Sequence, residues 1–168
     1  MITSYEILDY LAAAIAADAE FAAFAVGLGK TLTLQLGGNP QKAVNTTDCP
    51  LVALMPGDLD EIGIETPENI FHVEIAWFIS CGDFIDSPVA GDSSILRRNY
   101  TAIQQLSDLG GHLRRILKTA LASTNLCLQS AKQALTYDDP KAWPLSRGDL
   151  ICTLTISRAS GGMEPSLT

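Results

Sequence analysis

A chain of 168 residues, 47% hydrophobic and 18% charged, has the length and balance of one soluble globular domain with a substantial core. Its 19 acidic residues against 11 basic ones leave a net charge of −8, which argues against direct nucleic-acid binding, because such proteins need surplus Lys and Arg to displace counterions from phosphates. A single domain is expected over residues 1–158, followed by a small, polar and flexible tail over 159–168.

The first element announces itself by a capping box, Thr3 with Glu6, and by a hydrophobic staple of Ile2 on Ile7. Ile7, Leu8, Leu11 and Ile15 then recur at helical spacing among alanines, which favour helix at little entropic cost. Asp18 is placed to cap a second, short helix through about Val26, stopped by Gly27 and Gly29. Glu6 and Asp9 stand where a signal peptide carries positive charge, and Asp18 and Glu20 interrupt the apolar run, so neither a leader nor a membrane span is expected. Thr31–Leu36 alternates with period two and predicts a strand, and a second strand is expected from Cys49 to Met55, entered through Pro50. Residues 58–68 hold five acids and are expected as a loop with a brief strand at Ile62–Ile64.

The clearest strand lies over residues 69–81. Phe71, Val73, Ile75, Trp77 and Ile79 share one face, and His72, Glu74 and Ser80 lie with Ile70, Ala76 and Phe78 on the other. One apolar and one mixed face predict a sheet covered by helices on one side only, each large buried side chain contributing roughly 1.5–3 kcal/mol. Residues 82–92 are expected as a loop, with a long helix starting near Asp92, Ser93 and Ser94 and carrying an apolar stripe from Ile95 to Leu121. Gly110 and Gly111 predict a kink or break within it. A final hairpin is expected from Leu126–Tyr137 and Asp149–Ile156, joined by an acidic-aromatic loop. The order predicts an α+β fold: a two-layer sandwich of a mixed, mostly antiparallel sheet with two main helices on one face.

Motifs that suggest chemistry are incomplete. Gly27, Gly29, Lys30 and Thr31 end like a phosphate-binding loop, but Phe24 occupies the position of its first glycine, and the context is helix-to-strand rather than strand-to-helix. His72 and Glu74 match half of a zinc deaminase signature whose paired cysteines are absent from the sequence. With two histidines in the chain, no metal, cofactor or catalytic residue is assigned. Cys49, Cys81, Cys127 and Cys152 lie in or beside apolar runs and are expected as buried free thiols in a reducing cytosol. Asp138 and Asp139 suit a turn before Pro140, and Trp143 either covers the core edge or meets a partner. Arg97, Arg98, Arg114, Arg115 and Lys118 place five of the eleven bases on the expected long helix, as a solvated face or as a patch for an acidic partner such as the 58–68 loop of another copy. On a straight helix Arg97 and Arg115 would share a face about 27 Å apart.

The element order resembles the tail terminator proteins of long-tailed phages, the family of the lambda minor tail protein U. The likeness rests on the acidic N-terminal helix, the Cys49–Leu54 strand and the long strand of Phe71–Trp77. It continues in a helix before the last hairpin and in Leu135, Thr136, Tyr137, Asp138, Asp139, Trp143 and Asp149–Ile156. The chain differs by extra residues around 37–48 and 82–92 and by the Gly-Gly pair. The resemblance implies a structural virion protein, assembled in the bacterial cytoplasm, that caps the tail tube as a six-fold ring. Its partners would be itself, the tail-tube protein and the head connector or neck, with no membrane, no sequence-specific nucleic acid and no cofactor. Arg97, Arg98, Arg114, Arg115, Lys118, Asp138, Asp139 and Trp143 are then candidate interface residues. The alternatives are a neck or head-closure protein, and a small cytosolic enzyme or ligand-binding domain in which His72, Glu74 and Asp139 would converge.

Overall fold

The computed structural model describes residues 3–29, 31–37, 43–57, 70–81, 83–89, 92–136, 141 and 144–156. Helix α1 spans Ser4–Ala17 and opens on the predicted capping box, the Glu6 N–H donating to Thr3 Oγ1 at 3.2 Å and the Thr3 N–H to Glu6 Oε2 at 2.7 Å. The proposed staple residue Ile2, the Ile62–Ile64 strand and the 159–168 tail lie outside the described residues. Asp18 ends α1 and caps α2 (Ala19–Gly27), accepting from the Phe21 N–H at 2.8 Å. The two helices meet at a 68° bend, and no single helix among the described residues is long and apolar enough to cross a membrane. Gly29, at φ +72°, carries the turn after α2 in a conformation that suits glycine.

Five strands form the main sheet: β1 (Thr33–Leu36), β2 (Leu51–Pro56), β3 (Ile70–Ser80), β6 (Leu126–Thr136) and β7 (Leu145–Ile156). Their order is β1-β2-β3-β7-β6, with β1–β2 parallel and the other pairs antiparallel. The predicted α+β class and mixed sheet are therefore the observed ones, and β3 is the central strand. Alternation does the sorting: Val73, Ile75, Trp77 and Ile79 are buried against α1 and against α3 (Thr101–Ala122), while His72, Glu74 and Phe78 lie half-buried on the other face. Ile7, Leu11, Leu106, Leu109 and Leu113 close the core from the helical side. The Tyr10 hydroxyl ties α1 to the end of α3 by donating to the Ala120 carbonyl at 2.9 Å.

Three expectations are corrected. Residues 84–100 are not loop and helix start. Phe84–Val89 (β4) and Asp92–Tyr100 (β5) pair antiparallel as a separate two-stranded sheet. The polar run Asp92–Ser94 looked like a helix cap, but the cross-strand partners of β5 lie some residues upstream, beyond the reach of a local periodicity. Helix α3 instead begins at Thr101, where the Thr101 N–H and hydroxyl both donate to the Asp83 carbonyl, at 3.1 and 2.6 Å. Second, α3 runs unbroken through Gly110 and Gly111. Its buried apolar face outweighs the roughly 1 kcal/mol cost of each glycine, and Gly110 admits the Trp77 ring, whose Cζ2 would stand 2.7 Å from an added Cβ. Third, β7 starts at Leu145 rather than Asp149, because Ser146, Arg147 and Gly148 continue the ladder opposite Ile79, Phe78 and Trp77.

The cysteines divide. Cys49 and Cys152 are buried as expected, Cys81 is half-buried, and Cys127 is exposed because it lies at the start of the edge strand β6. Burial pushes the Cys152 thiol up to about 11. A thiol reagent near pH 8 is expected to label Cys127 rapidly in the native protein and Cys49 and Cys152 only on unfolding. Mass-spectrometric mapping after a brief pulse checks this, and equal labelling of Cys127 and Cys152 would contradict it.

Candidate interaction surface

The five bases do not share one helix. Arg97 and Arg98 lie on β5 and only Arg114, Arg115 and Lys118 on α3, so the single basic helical face with a 27 Å span is replaced by two separate groups. Arg97 is exposed and its Nε donates to Asn99 Oδ1 at 2.9 Å. Arg98 clamps the hairpin by a two-pronged contact with Asp86, at 2.8 Å for each pair. That guanidinium holds the Asp86 carboxyl below the usual carboxylate range.

Arg115 is a structural residue. Its guanidinium grips Asp18 through two hydrogen bonds of 2.9 and 2.6 Å and approaches Glu20 Oε2 at 3.2 Å, binding α3 to the α1–α2 junction. The Arg115 contact, followed by the Phe21 backbone N–H, depresses the Asp18 carboxyl pKa. Arg114 and Lys118 are exposed, four positions apart on one helical face. Asp138, Asp139 and Trp143, together with the acidic 58–68 segment, lie outside the described residues.

On the open sheet face, β3 and β7 assemble a group that the sequence pattern concealed. Arg147 donates to Glu74 Oε1 at 2.8 Å and to Asp149 Oδ1 at 2.7 Å, and its Cζ lies 5.4 Å from the Phe78 ring centroid. These residues meet because Phe78 faces Arg147 in the ladder and Glu74 faces Ile151 one row beyond Asp149. Assigning 138–148 to a loop hid the Arg147–Asp149 alternation; extending the period-two pattern back from Asp149 would have found it. Beside Arg147 a groove of about 460 Å³ runs over Thr33, Gln35, Ala53 and Phe78, walled by Val44 and Asp48.

His72 and Glu74 occupy alternate positions on this face. His72 Nδ1 lies 3.5 Å from the Thr153 hydroxyl, whereas Glu74 is engaged by Arg147. Asp139, the third member of that constellation, is outside the described residues. Among the described residues no three His, Cys, Asp or Glu side chains group closely enough to hold a metal ion. The end of α2 sets Gly27 and Gly29 before a strand, the reverse of a phosphate-binding loop.

No family model matches the chain, and no curated protein matches it.

Proposed function

We propose that the chain is a structural phage virion protein that caps the end of the tail tube as a ring, stops tube growth and presents a joining surface to the head. The observation that carries this reading is the element order. An acidic N-terminal helix, the Leu51–Pro56 strand, the long central strand Ile70–Ser80, a long helix and a closing hairpin occur in the order of the resemblance, with α2, β1 and the β4–β5 hairpin set among them. The physical logic agrees with it. A closed ring needs two different, complementary patches on each subunit. Arg114 and Lys118 offer a compact basic spot on a chain whose net charge is −8, and each contact would have to bury more than about 1,000 Å² to be specific.

Light scattering of the purified protein, alone and with cognate tail-tube subunits, tests the reading. Annular hexamers and tubes of arrested length are expected under electron microscopy. Tubes that elongate equally with and without the protein would refute it. The double substitution Arg114→Glu with Lys118→Glu is expected to weaken capping by about tenfold, most strongly at low ionic strength, with an unchanged melting temperature. Undiminished capping by that variant would remove the basic spot from the interface.

A further inference from the structure

We propose that copies of this chain join by strand addition, β5 of one copy pairing along the free edge of β6 in the next. The proposal deepens the ring reading and rests on it only for closure into a ring. Among the described residues the hairpin joins no other strand. β4 and β5 pair with each other alone, as a sheet of two strands, and an isolated two-stranded hairpin is at best marginal in water. Its base is pinned, the Tyr100 hydroxyl donating to the Cys81 carbonyl at 2.9 Å and Thr101 to Asp83. Beyond the base, Ile85 is 57% exposed and Val89 39% exposed. The Asp86–Arg98 pair lies on the surface, where such contacts add little stability.

The available edges narrow to one combination. On the hairpin, β4 has six residues and includes Pro88, which has no N–H to donate, whereas β5 has nine residues and no proline. On the main sheet, β1 has four residues, whereas β6 has eleven, no proline and the single charge of Lys132. Past the irregularity at Leu128/Ser130, β6 keeps unbroken register with β7 from Ser130 to Thr136. Among the described residues nothing pairs with its other side. A long, nearly uncharged edge of this kind is one that proteins ordinarily shorten, charge or cover. The occupant is a second copy because one chain carries both halves, a nine-residue strand and an edge of at least seven paired positions, each open among the described residues. Strand addition draws its affinity from main-chain hydrogen bonds, and a different patch on each partner makes the contact head-to-tail. Lys132 disfavours registers that place it beside Arg97 or Arg98.

Two variants separate the halves. In the first, a short glycine linker replaces residues 84–99; the Thr101 N–H to Asp83 carbonyl bond of 3.1 Å shows that the ends already meet. In the second, Ser130→Lys and Ala134→Lys flank Lys132 on an exposed face of β6. Each variant alone is expected to be a folded monomer where the parent associates. Their equimolar mixture is expected to form a one-to-one dimer and stop, since one hairpin and one edge remain. Association of the hairpin-deleted chain like the parent, a mixture that stays monomeric, or a parent that is monomeric at every concentration would overturn the proposal. Amide hydrogen exchange of the unaltered protein gives a second readout that needs no variant. Protection in β5 and β6 should rise together with protein concentration, and concentration-independent exchange in both would overturn it. Complementing variants on a parent that forms open filaments would retain strand addition and reject the ring, whereas rings that survive both changes would do the reverse.

Discussion

Replacing Gly148 by alanine is expected to cost about 3 kcal/mol of stability, at the upper end of what overpacking a core produces. Gly148 faces Trp77 across the β3–β7 ladder, and the indole lies where a Cβ would project, against its Cε2, Cζ2 and Nε1 atoms. Trp77 cannot easily give way. It is fully buried, its Nε1 donates to the Leu106 carbonyl at 3.1 Å, and Gly110 of α3 closes on the ring from the helical side. An alanine elsewhere in a strand would help by restricting the unfolded chain, but here the steric clash decides the sign. Gly110→Ala is expected to lose less, because the better helix propensity of alanine returns about 1 kcal/mol. Trp77→Leu alone should lose about 3 kcal/mol through the cavity it leaves and the lost indole hydrogen bond to the Leu106 carbonyl. Combined with Gly148→Ala it should lose less than the sum, since the smaller side chain vacates the contested space. Denaturant midpoints at constant m-value measure all four variants. A Gly148→Ala protein within about 0.5 kcal/mol of the parent would refute this account of the cradle.

The second large effect is at Arg115. Arg115→Glu is expected to lower the melting temperature, because it sets a third carboxylate against Asp18 and Glu20 and removes the two-pronged contact that holds α3 to the α1–α2 bend. An interface residue would instead alter assembly and spare the fold, so thermal melts decide between the two roles. The same contact sets an acid dependence. Asp18 titrates below its ordinary 3.8 in the folded protein, so the native state holds fewer protons than the unfolded chain as that range is crossed. Its stabilisation is complete above about pH 4 to 5 and disappears as pH falls through the depressed value. Glu6, depressed from 4.5 chiefly by the Thr3 backbone N–H, and Asp86, depressed by Arg98, act in the same direction. Denaturant midpoints are therefore expected to decline below about pH 4.5, gently, because these carboxylates lie near the surface where water screens their contacts. Asp18→Asn keeps a competent cap for α2 and is expected to flatten that slope while lowering stability at neutral pH. An identical acid profile in Asp18→Asn would remove Asp18 from the mechanism.

The parts of the fold legible in the sequence are those written within one turn or one strand. The Thr3–Glu6 box, the shared cap at Asp18 and the alternation of residues 70–80 each lie within a short window, and each appears where local rules place it. The two-layer arrangement followed from the single apolar face of β3. What escaped depends on partners remote along the chain. Helix α3 has no side-chain cap of its own and is anchored by the Asp83 carbonyl, so its start carried no local mark. Gly110 looked like a breaker and Gly148 fell in the expected loop, and only the position of Trp77 turns them into packing residues. Of the candidate interface residues, Arg114 and Lys118 face solvent as expected, whereas Arg115 found Asp18 across 97 positions, a distance no periodicity encodes.

The parallel strand β1 has a consequence for the groove beside it. Thr33 and Gln35 lie under one side of that trough, yet β1 is joined to the sheet by only four paired positions, Thr33 with Leu51 through Leu36 with Leu54. Short peripheral strands open first when a protein breathes, long before the middle of the sheet lets go. Local opening of those four residues would therefore widen the trough from the β1 side, while the longer ladder that carries Phe78 keeps its place.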